Sequence, residues 1–270
     1  MRKKQRLTIT LPPPAIEIVD SVIDGMFIRN RSQAIESLIN QGFVKTVETA
    51  VILSGGAEEH TVSRVLKKVN GQYLLAIMIE QLKKHGIKKI VLCAGSGTES
   101  IRSFFGDGTT NGIVIEYIQE RIALGTAGVL LAAKEKILGS TFVLLYGDIL
   151  TNIDFKDLIT FHFSEGNMAT MGIKPRMGEK KYGQVSIQGN SVVGYSKKES
   201  NTGLGLVNTG IYIFSIRTLD LIPKNTASDL DAHLIPSLIA EKQLSAFIFQ
   251  GIWHDISAKN DLSDAESRWG

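Results

Sequence analysis

Cysteine is close to absent from this sequence. The single one, Cys93, lies in the apolar run Ile90–Ala94. No disulfide framework is available, and a thiol buried in a strand is expected there, not a nucleophile. Long apolar runs are missing too: none approaches the ~20 residues needed to span a bilayer. The N-terminus is basic, but Pro12, Pro13 and Pro14 stand where a secretion signal needs its apolar core. The expected setting is therefore cytoplasmic, with no membrane partner. Nor is there an internal repeat or a low-complexity segment. Excess charge of one sign is small, 30 Lys and Arg against 27 Asp and Glu, but it is concentrated. Residues 1–45 hold seven basic and four acidic side chains, which is the whole formal surplus of +3. That points to an acidic partner for a small N-terminal segment. The 270 residues leave room for that segment and one large domain.

What is present begins with strict alternation. In Arg6–Leu11, Leu7, Ile9 and Leu11 share one face while Arg6, Thr8 and Thr10 share the other. The prolines stop this strand and open a helix with Ile16, Val19, Val22, Ile23 and Met26 on one side. A turn over Gly25–Asn30 follows. Asn30 or Ser32 then caps a second helix carrying Ala34, Ile35, Leu38 and Ile39, which ends at Gly42. One strand and two short helices cannot cover their own apolar faces, so a second chain is required.

Over residues 4–44 this pattern resembles the ribbon-helix-helix family of DNA-binding proteins, in which two protomers pair their strands into a ribbon that reads the major groove. The resemblance implies a homodimer through the N-terminal strand, with higher oligomers left open, and double-stranded DNA as partner. Arg6, Thr8 and Thr10 would face base edges, while Asn30, Arg31 and Ser32, at the start of the second helix, would meet phosphate. A dimerisation arm without a DNA role would use the same apolar face.

From residue 46 onward, apolar strands and amphipathic helices alternate: Ala50–Leu53, a helix over Gly71–Lys84, Lys89–Ala94, a helix over Glu99–Phe105, Ile113–Tyr117, and a helix from Leu124 to Ile137. Thr141–Tyr146 comes next, a continuous apolar strand ending abruptly at Gly147-Asp148. This spacing predicts right-handed βαβ units. A carboxylate just past the end of a central strand lies where open α/β sheets hold ligands, although a turn cap would also explain Asp148. The second half reads as a hairpin over Tyr182–Lys198 turning at Gln188–Asn190, a strand Leu206–Phe214, a helix Leu230–Ala240, a strand Ala246–Ile252 and a terminal helix.

Several pieces in order then resemble the sugar-1-phosphate nucleotidyltransferase family: Ala50–Gly56, Phe105–Gly108, Leu124–Gly128, Tyr146–Asp148, Tyr182-Gly183, Leu206–Gly210 and Trp253–Ile256. The resemblance implies a three-layer α/β nucleotidyltransferase-like fold with a mixed, mostly parallel sheet over residues 46–270, behind a ribbon-helix-helix domain at 1–45. It also implies roles. Gly55 and Gly56 would approach nucleotide phosphates; Glu120, Leu124, Gly125 and Thr126 would line the base and ribose pocket. Asp148 and Asp255 would hold Mg2+, two hard carboxylates for a hard cation. Tyr182, Gly183 and Asn208 would shape the sugar side, with Lys198 near the sugar phosphate.

The family's phosphate loop runs Gly-Gly-x-Gly-Thr-Arg toward Pro-Lys-Pro. Here Gly56 is followed by Ala57-Glu58-Glu59-His60-Thr61-Val62-Ser63-Arg64, shorter, with two acids and without the loop arginine. Arg64 would stand in for the motif's lysine as the catalytic cation, and the family's Glu-Lys pair on the sugar side reads Lys197-Lys198. The metal carboxylates are kept while the triphosphate grip is altered, so weak or absent turnover is expected. Two readings follow. The favoured one is a DNA-binding transcriptional regulator whose nucleotidyltransferase-like domain senses a nucleotide, sugar phosphate or nucleotide sugar. The alternative is an active Mg-dependent sugar-1-phosphate nucleotidyltransferase whose N-terminal domain dimerises it or regulates it.

Overall fold

A computed structural model of the chain describes residues 8–42, 46–55, 64–120, 124–177, 182–196, 203–224, 226–257 and 259–269. The chain divides into two compact units, Met1–Thr46 and Val47–Gly270.

In the first unit, α1 spans Pro13–Ser21 and α2 spans Arg31–Gly42. Prolines fit the first turn of α1 because no backbone N–H is needed there. The expected apolar face of α1 was too long. Asp24 Oδ1 accepts from the backbone N–H of Met26, Phe27 and Ile28 at 2.8, 2.8 and 2.9 Å, folding a turn where the helix would have continued. Met26 and Phe27 are consequently 72% and 84% exposed. Asn30 is the cap of α2: its Oδ1 accepts from Gln33 N at 3.0 Å and its carbonyl from Ala34 N. Residues 8–12 run without strand partners in the single chain. Ile9 and Leu11 line an open apolar groove of about 500 Å³ with Ala15, Ile18, Val19, Ile35, Leu38 and Ile39.

The second unit opens with β1 (Thr49–Leu53), the small hairpin β2 (Lys68–Val69) and β3 (Gln72–Tyr73), and α3 (Leu74–Lys84). The hairpin shortens the helix expected from Gly71, since Asn70 and Gly71 turn the chain at positive φ. Next come β4 (Lys89–Cys93), α4 (Thr98–Phe105), β5 (Val114–Ile118), α5 (Gly125–Ala133), β6 (Thr141–Tyr146), β7 (Ile149–Thr151) and α6 (Phe155–Glu165). The second half holds β8 (Ala169–Met177), the hairpin β9 (Gln184–Gln188) and β10 (Ser191–Ser196), β11 (Leu204–Ser215), α7 (Ile235–Ala240), β12 (Leu244–Ile248), β13 (Trp253–Asp255) and α8 (Lys259–Arg268). A π-helical turn at Leu230–Leu234 replaces the first part of the expected Leu230–Ala240 helix.

The main sheet has the order β5-β4-β1-β6-β11-β8-β12-β10-β9. Strands β5, β4, β1 and β6 are parallel, as the βαβ spacing implies. Beyond β6 the sheet becomes mixed, as expected. β11 enters antiparallel to β6 and β8, β8 and β12 are parallel, and β11 also pairs with β9, closing the second half on itself. Along β6, Val143 and Leu145 pack with α3 and α6 on one face, and Phe142 and Leu144 pack with α5 and α7 on the other. That gives three layers around a sheet buried on both sides. Because β11 runs opposite to β6, its first residues project past the carboxyl end of β6, where Asp148 lies.

Candidate active site

The site is built at the end of β6. Gly147 N donates to Leu53 O at 2.8 Å, and a Cβ on Gly147 would stand 2.7 Å from Ser54 Cβ and 2.9 Å from Val65 Cγ1. Only glycine permits this close passage. The next residue, Asp148, is 6% exposed, and its carbonyl accepts from Ile256 N at 2.8 Å. In the ribbon β7–β13, Asp255 stands opposite Ile149, beside Asp148. Two carboxylates more than a hundred residues apart in sequence are thereby neighbours. Burial, then the charge of Asp255, raises the Asp148 carboxyl above its ordinary range, and Arg64 opposes both. Arg64 Nη1 contacts Asp148 Oδ2 at 2.5 Å. The donor set suits a hard divalent cation: two carboxylates, one largely desolvated, with like charges that call for positive charge between them.

Lys67 ties two distant segments of the site together. Its Nζ donates to the carbonyls of Ile256 and Ser257 at 2.7 and 2.9 Å, binding the segment after the phosphate loop to the turn that follows Asp255. Asp255 Oδ1 accepts from Ser257 N within that turn. No sequence signal marks Lys67 for carbonyls 189 residues away.

Of the residues expected at the nucleotide, Gly55 lies against the end of β4. Its N–H is taken by Cys93 O at 3.0 Å, and a Cβ there would stand 3.3 Å from the Ala94 carbonyl carbon and from Gly95 N. Gly56 falls outside the described residues. Half-buried Glu120 accepts from Leu124 N through Oε2 at 3.2 Å, which fixes its carboxylate beside the start of α5. Gly125 holds φ +76° with Ser228 O where its Cβ would be. Thr126 is committed: its N and Oγ1 bond Asp229 Oδ1, and its Oγ1 accepts from Leu230 N at 2.9 Å. Glu120, Leu124 and Gly125 therefore lie together, while Thr126 holds the start of α5 in place.

Of the residues expected at the sugar, the Tyr182 ring meets Trp253 edge-on at 5.1 Å, and Trp253 Nε1 donates to Thr209 O. Gly183 leaves room for the Tyr195 hydroxyl, which would be 2.2 Å from a Cβ there. Asn208 is 8% exposed and internally engaged. Its Nδ2 donates to the Tyr212 hydroxyl at 2.5 Å, its Oδ1 accepts from Gly210 N, and it is hydrogen-bonded to Tyr195. Tyr195 donates to Asp231 Oδ1 at 2.5 Å. Burial first, then the charge of Asp231, pushes the Tyr195 phenol up, so it stays a donor. Tyr195 and Asp231 escaped sequence reasoning because nothing local links a hairpin tyrosine to a helical aspartate. Lys198 lies outside the described residues.

In the first unit, Thr8 and Thr10 are exposed, as is Ser32, and Arg6 lies outside the described residues. Arg31 is not left as a bare phosphate contact: its Nε and Nη2 grip both oxygens of Asp20 at 2.7 and 2.8 Å. Asn30 is occupied in capping α2. Of the residues expected at phosphate, then, two have structural partners within the unit.

Among the described residues no helix is long and apolar enough to cross a membrane. The family model described as Nucleotidyl transferase matches residues 49–269. The mannose-1-phosphate guanylyltransferase catalytic subunit beta of Dictyostelium discoideum is 30% identical over 189 residues, covering 68% of this chain and 52% of that protein. The subunit of the same name from Danio rerio is 28% identical over 227 residues, covering 79% and 62%. The chain thus spans about half to three-fifths of these relatives' length. Among solved structures, HddC from Yersinia pseudotuberculosis complexed with GMP-PN superposes with a TM-score of 0.70 at 23% identity, covering 83% of this chain and all of that one, a likeness of fold. The chain belongs to the sugar-1-phosphate nucleotidyltransferase family.

Proposed function

We propose that the second unit transfers a nucleotidyl group from a nucleoside triphosphate to a sugar 1-phosphate. An oxygen of the sugar phosphate forms a bond to the α-phosphorus while the bond from that phosphorus to the bridging β-oxygen breaks, releasing pyrophosphate. The observation that carries this reading is the pairing of Asp148 with Asp255 at the end of β6, on the ribbon β7–β13. Those two carboxylates would hold Mg2+, whose charge neutralises phosphate oxygens during transfer. Arg64 neutralises Asp148 before substrates arrive and supplies positive charge beside them once it is displaced. Lys67 holds the Asp255 turn, and Gly147 and Gly55 keep the floor free of side chains.

Glu120 favours guanine. An ionised carboxylate only accepts hydrogen bonds, and guanine offers N1–H and N2–H2 as adjacent donors. The guanylyltransferase names of the relatives support the same choice, so GTP with mannose 1-phosphate is the first pair to test. These relatives also favour the enzyme over the sensor reading that the altered loop had suggested. Pyrophosphate release from a panel of triphosphates and sugar phosphates, with and without Mg2+, tests the proposal; no release from any pair refutes it.

A second element of the proposal concerns the first unit, which we read as half of a ribbon-helix-helix dimer that binds double-stranded DNA. Support comes from the unpaired residues 8–12 beside the apolar groove, which a second copy of the same strand and helices would fill. Sedimentation of the full chain and a mobility shift with duplex DNA test the two parts separately. A monomer at micromolar concentration refutes the dimer, and salt-independent absence of any shift refutes the DNA role.

A further inference from the structure

The second half of the sheet carries a cluster that the nucleotide, metal and sugar-side assignments leave unused. Lys174 and Arg176 lie two residues apart on β8, opposite Val207 and Gly205 of β11. Gln184 on β9 also stands opposite Val207. Directly paired residues share a face, as do residues two apart, so all three polar side chains project from the same side of the sheet. Gly205 places no side chain across from Arg176. This face lies beyond the carboxyl end of β6, the same end as Asp148.

The chemistry of the cluster is incomplete. Arg176 Nε and Gln184 Nε2 are buried without a hydrogen-bond acceptor among the described residues. Buried donors of this kind are costly, and their presence asks for a ligand. Lys174 Nζ sits 5.1 Å from the centroid of Phe249, and the Arg176 guanidinium sits 5.1 Å from that of Trp253. Burial, then the neighbouring Arg176, lowers the Lys174 ammonium, so the two cations repel. Neither has a carboxylate ion-pair partner among the described residues. Their other bonds reach one short segment: Lys174 Nζ donates to Gly251 O at 2.7 Å and Arg176 Nη2 to Trp253 O at 2.9 Å. That segment leads directly to Asp255.

We propose that Lys174, Arg176 and Gln184 form an oxyanion-binding site that takes a phosphate group at the edge of the active site. A tetrahedral phosphate accepts from the orphaned guanidinium N–H and the amide together, and its charge relieves the repulsion between the two cations. The identity of the anion as the phosphate of the sugar substrate rests on the enzyme reading; the anion site itself does not.

The test is calorimetric titration of the full chain, wild type and Arg176→Gln, at one ionic strength, with mannose 1-phosphate, inorganic phosphate and Mg–GTP as separate probes. Loss of about 10- to 100-fold in mannose 1-phosphate affinity, with Mg–GTP binding unchanged as the folding control, supports a substrate phosphate site. The same loss for inorganic phosphate alone supports the anion site with free phosphate as its source. Unchanged affinity for both phosphate probes in Arg176→Gln and in Lys174→Gln overturns the proposal, as does a wild type that binds neither. Lys174→Gln serves alone if Arg176→Gln loses its cooperative melting. Pyrophosphate release by the wild type, measured in parallel, reports separately on the enzyme reading.

Discussion

Arg64 and Asp148 form an ion pair in which the guanidinium takes the position beside a buried carboxylate that a divalent cation would need. The arginine ends the altered phosphate-loop segment, so the loop's charge deficit and the carboxylate pair meet at one contact. Arg64 is 55% exposed on its side chain and Asp148 9%, so the arginine is free to swing out while the aspartate is not.

Replacing Arg64 with alanine is expected to strengthen Mn2+ binding in the absence of nucleotide by about tenfold, because a competing cation is removed. It should also lower the rate of transfer by about 10²-fold or more. Electron paramagnetic resonance of free Mn2+ reads the first effect and pyrophosphate release the second. Weaker Mn2+ binding in the variant would show that Arg64 does not compete for Asp148.

Gly147→Ala places a methyl group 2.7 Å from Ser54 Cβ, and neither neighbour is the free end of a flexible side chain. A loss of about 1–3 kcal/mol in stability is expected, with loss of metal affinity as Asp148 shifts. Denaturant melts and Mn2+ titration check this. A variant equal to wild type in both would mean that the passage of β6 past Ser54 is not tight.

Ile18 and Ile39 are 58% and 48% exposed in the single chain, and both line the groove of the first unit. Ile18→Glu and Ile39→Glu should therefore leave the melting of the large unit unchanged and shift the sedimentation equilibrium toward monomer by at least tenfold, since each buries a charge in the proposed interface. An unaltered assembly state would place the contact elsewhere.

Glu116 sits between Lys89 and Lys136, each 2.5 Å away. Hydrogen bonds from Lys136, then Lys89, hold its carboxyl below the ordinary range. A lowered carboxyl contributes stability that is fully present above the ordinary glutamate range and is lost as pH falls through the lowered folded value. Glu116→Gln should cost on the order of 1 kcal/mol or less near neutral pH, given its exposure, and nothing once wild-type Glu116 is protonated. Melts across pH 3–7, on the order of one pH unit apart, check this; a gap that widens on acidification has the wrong sign.

Much of the molecule was legible in the residues. Period-two and period-3.6 patterns located the four parallel strands and their helices, because these units are local and buried on both faces. The glycine before Asp148 and the Trp253–Ile256 string pointed to the carboxylate pair. What was hidden depended on distant partners. The reversal at β11 leaves no local pattern, since a buried strand looks alike in either direction. Asp24 ended α1 through three backbone bonds that compete with helix hydrogen bonds, a choice an amphipathic pattern does not display. Lys67, Tyr195 and Arg176 have roles only through contacts made across the fold.

Nucleotidyl transfer by this chain is proposed to rest on Asp148 and Asp255. The most direct measurement is pyrophosphate release by the full chain with GTP, mannose 1-phosphate and Mg2+, compared with Asp148→Asn and Asp255→Asn. Release should require Mg2+ and fall by about 10²-fold or more in each variant, while both variants keep wild-type melting. Release that persists in Asp148→Asn, or a wild type inert toward every triphosphate and sugar phosphate tried, would contradict it.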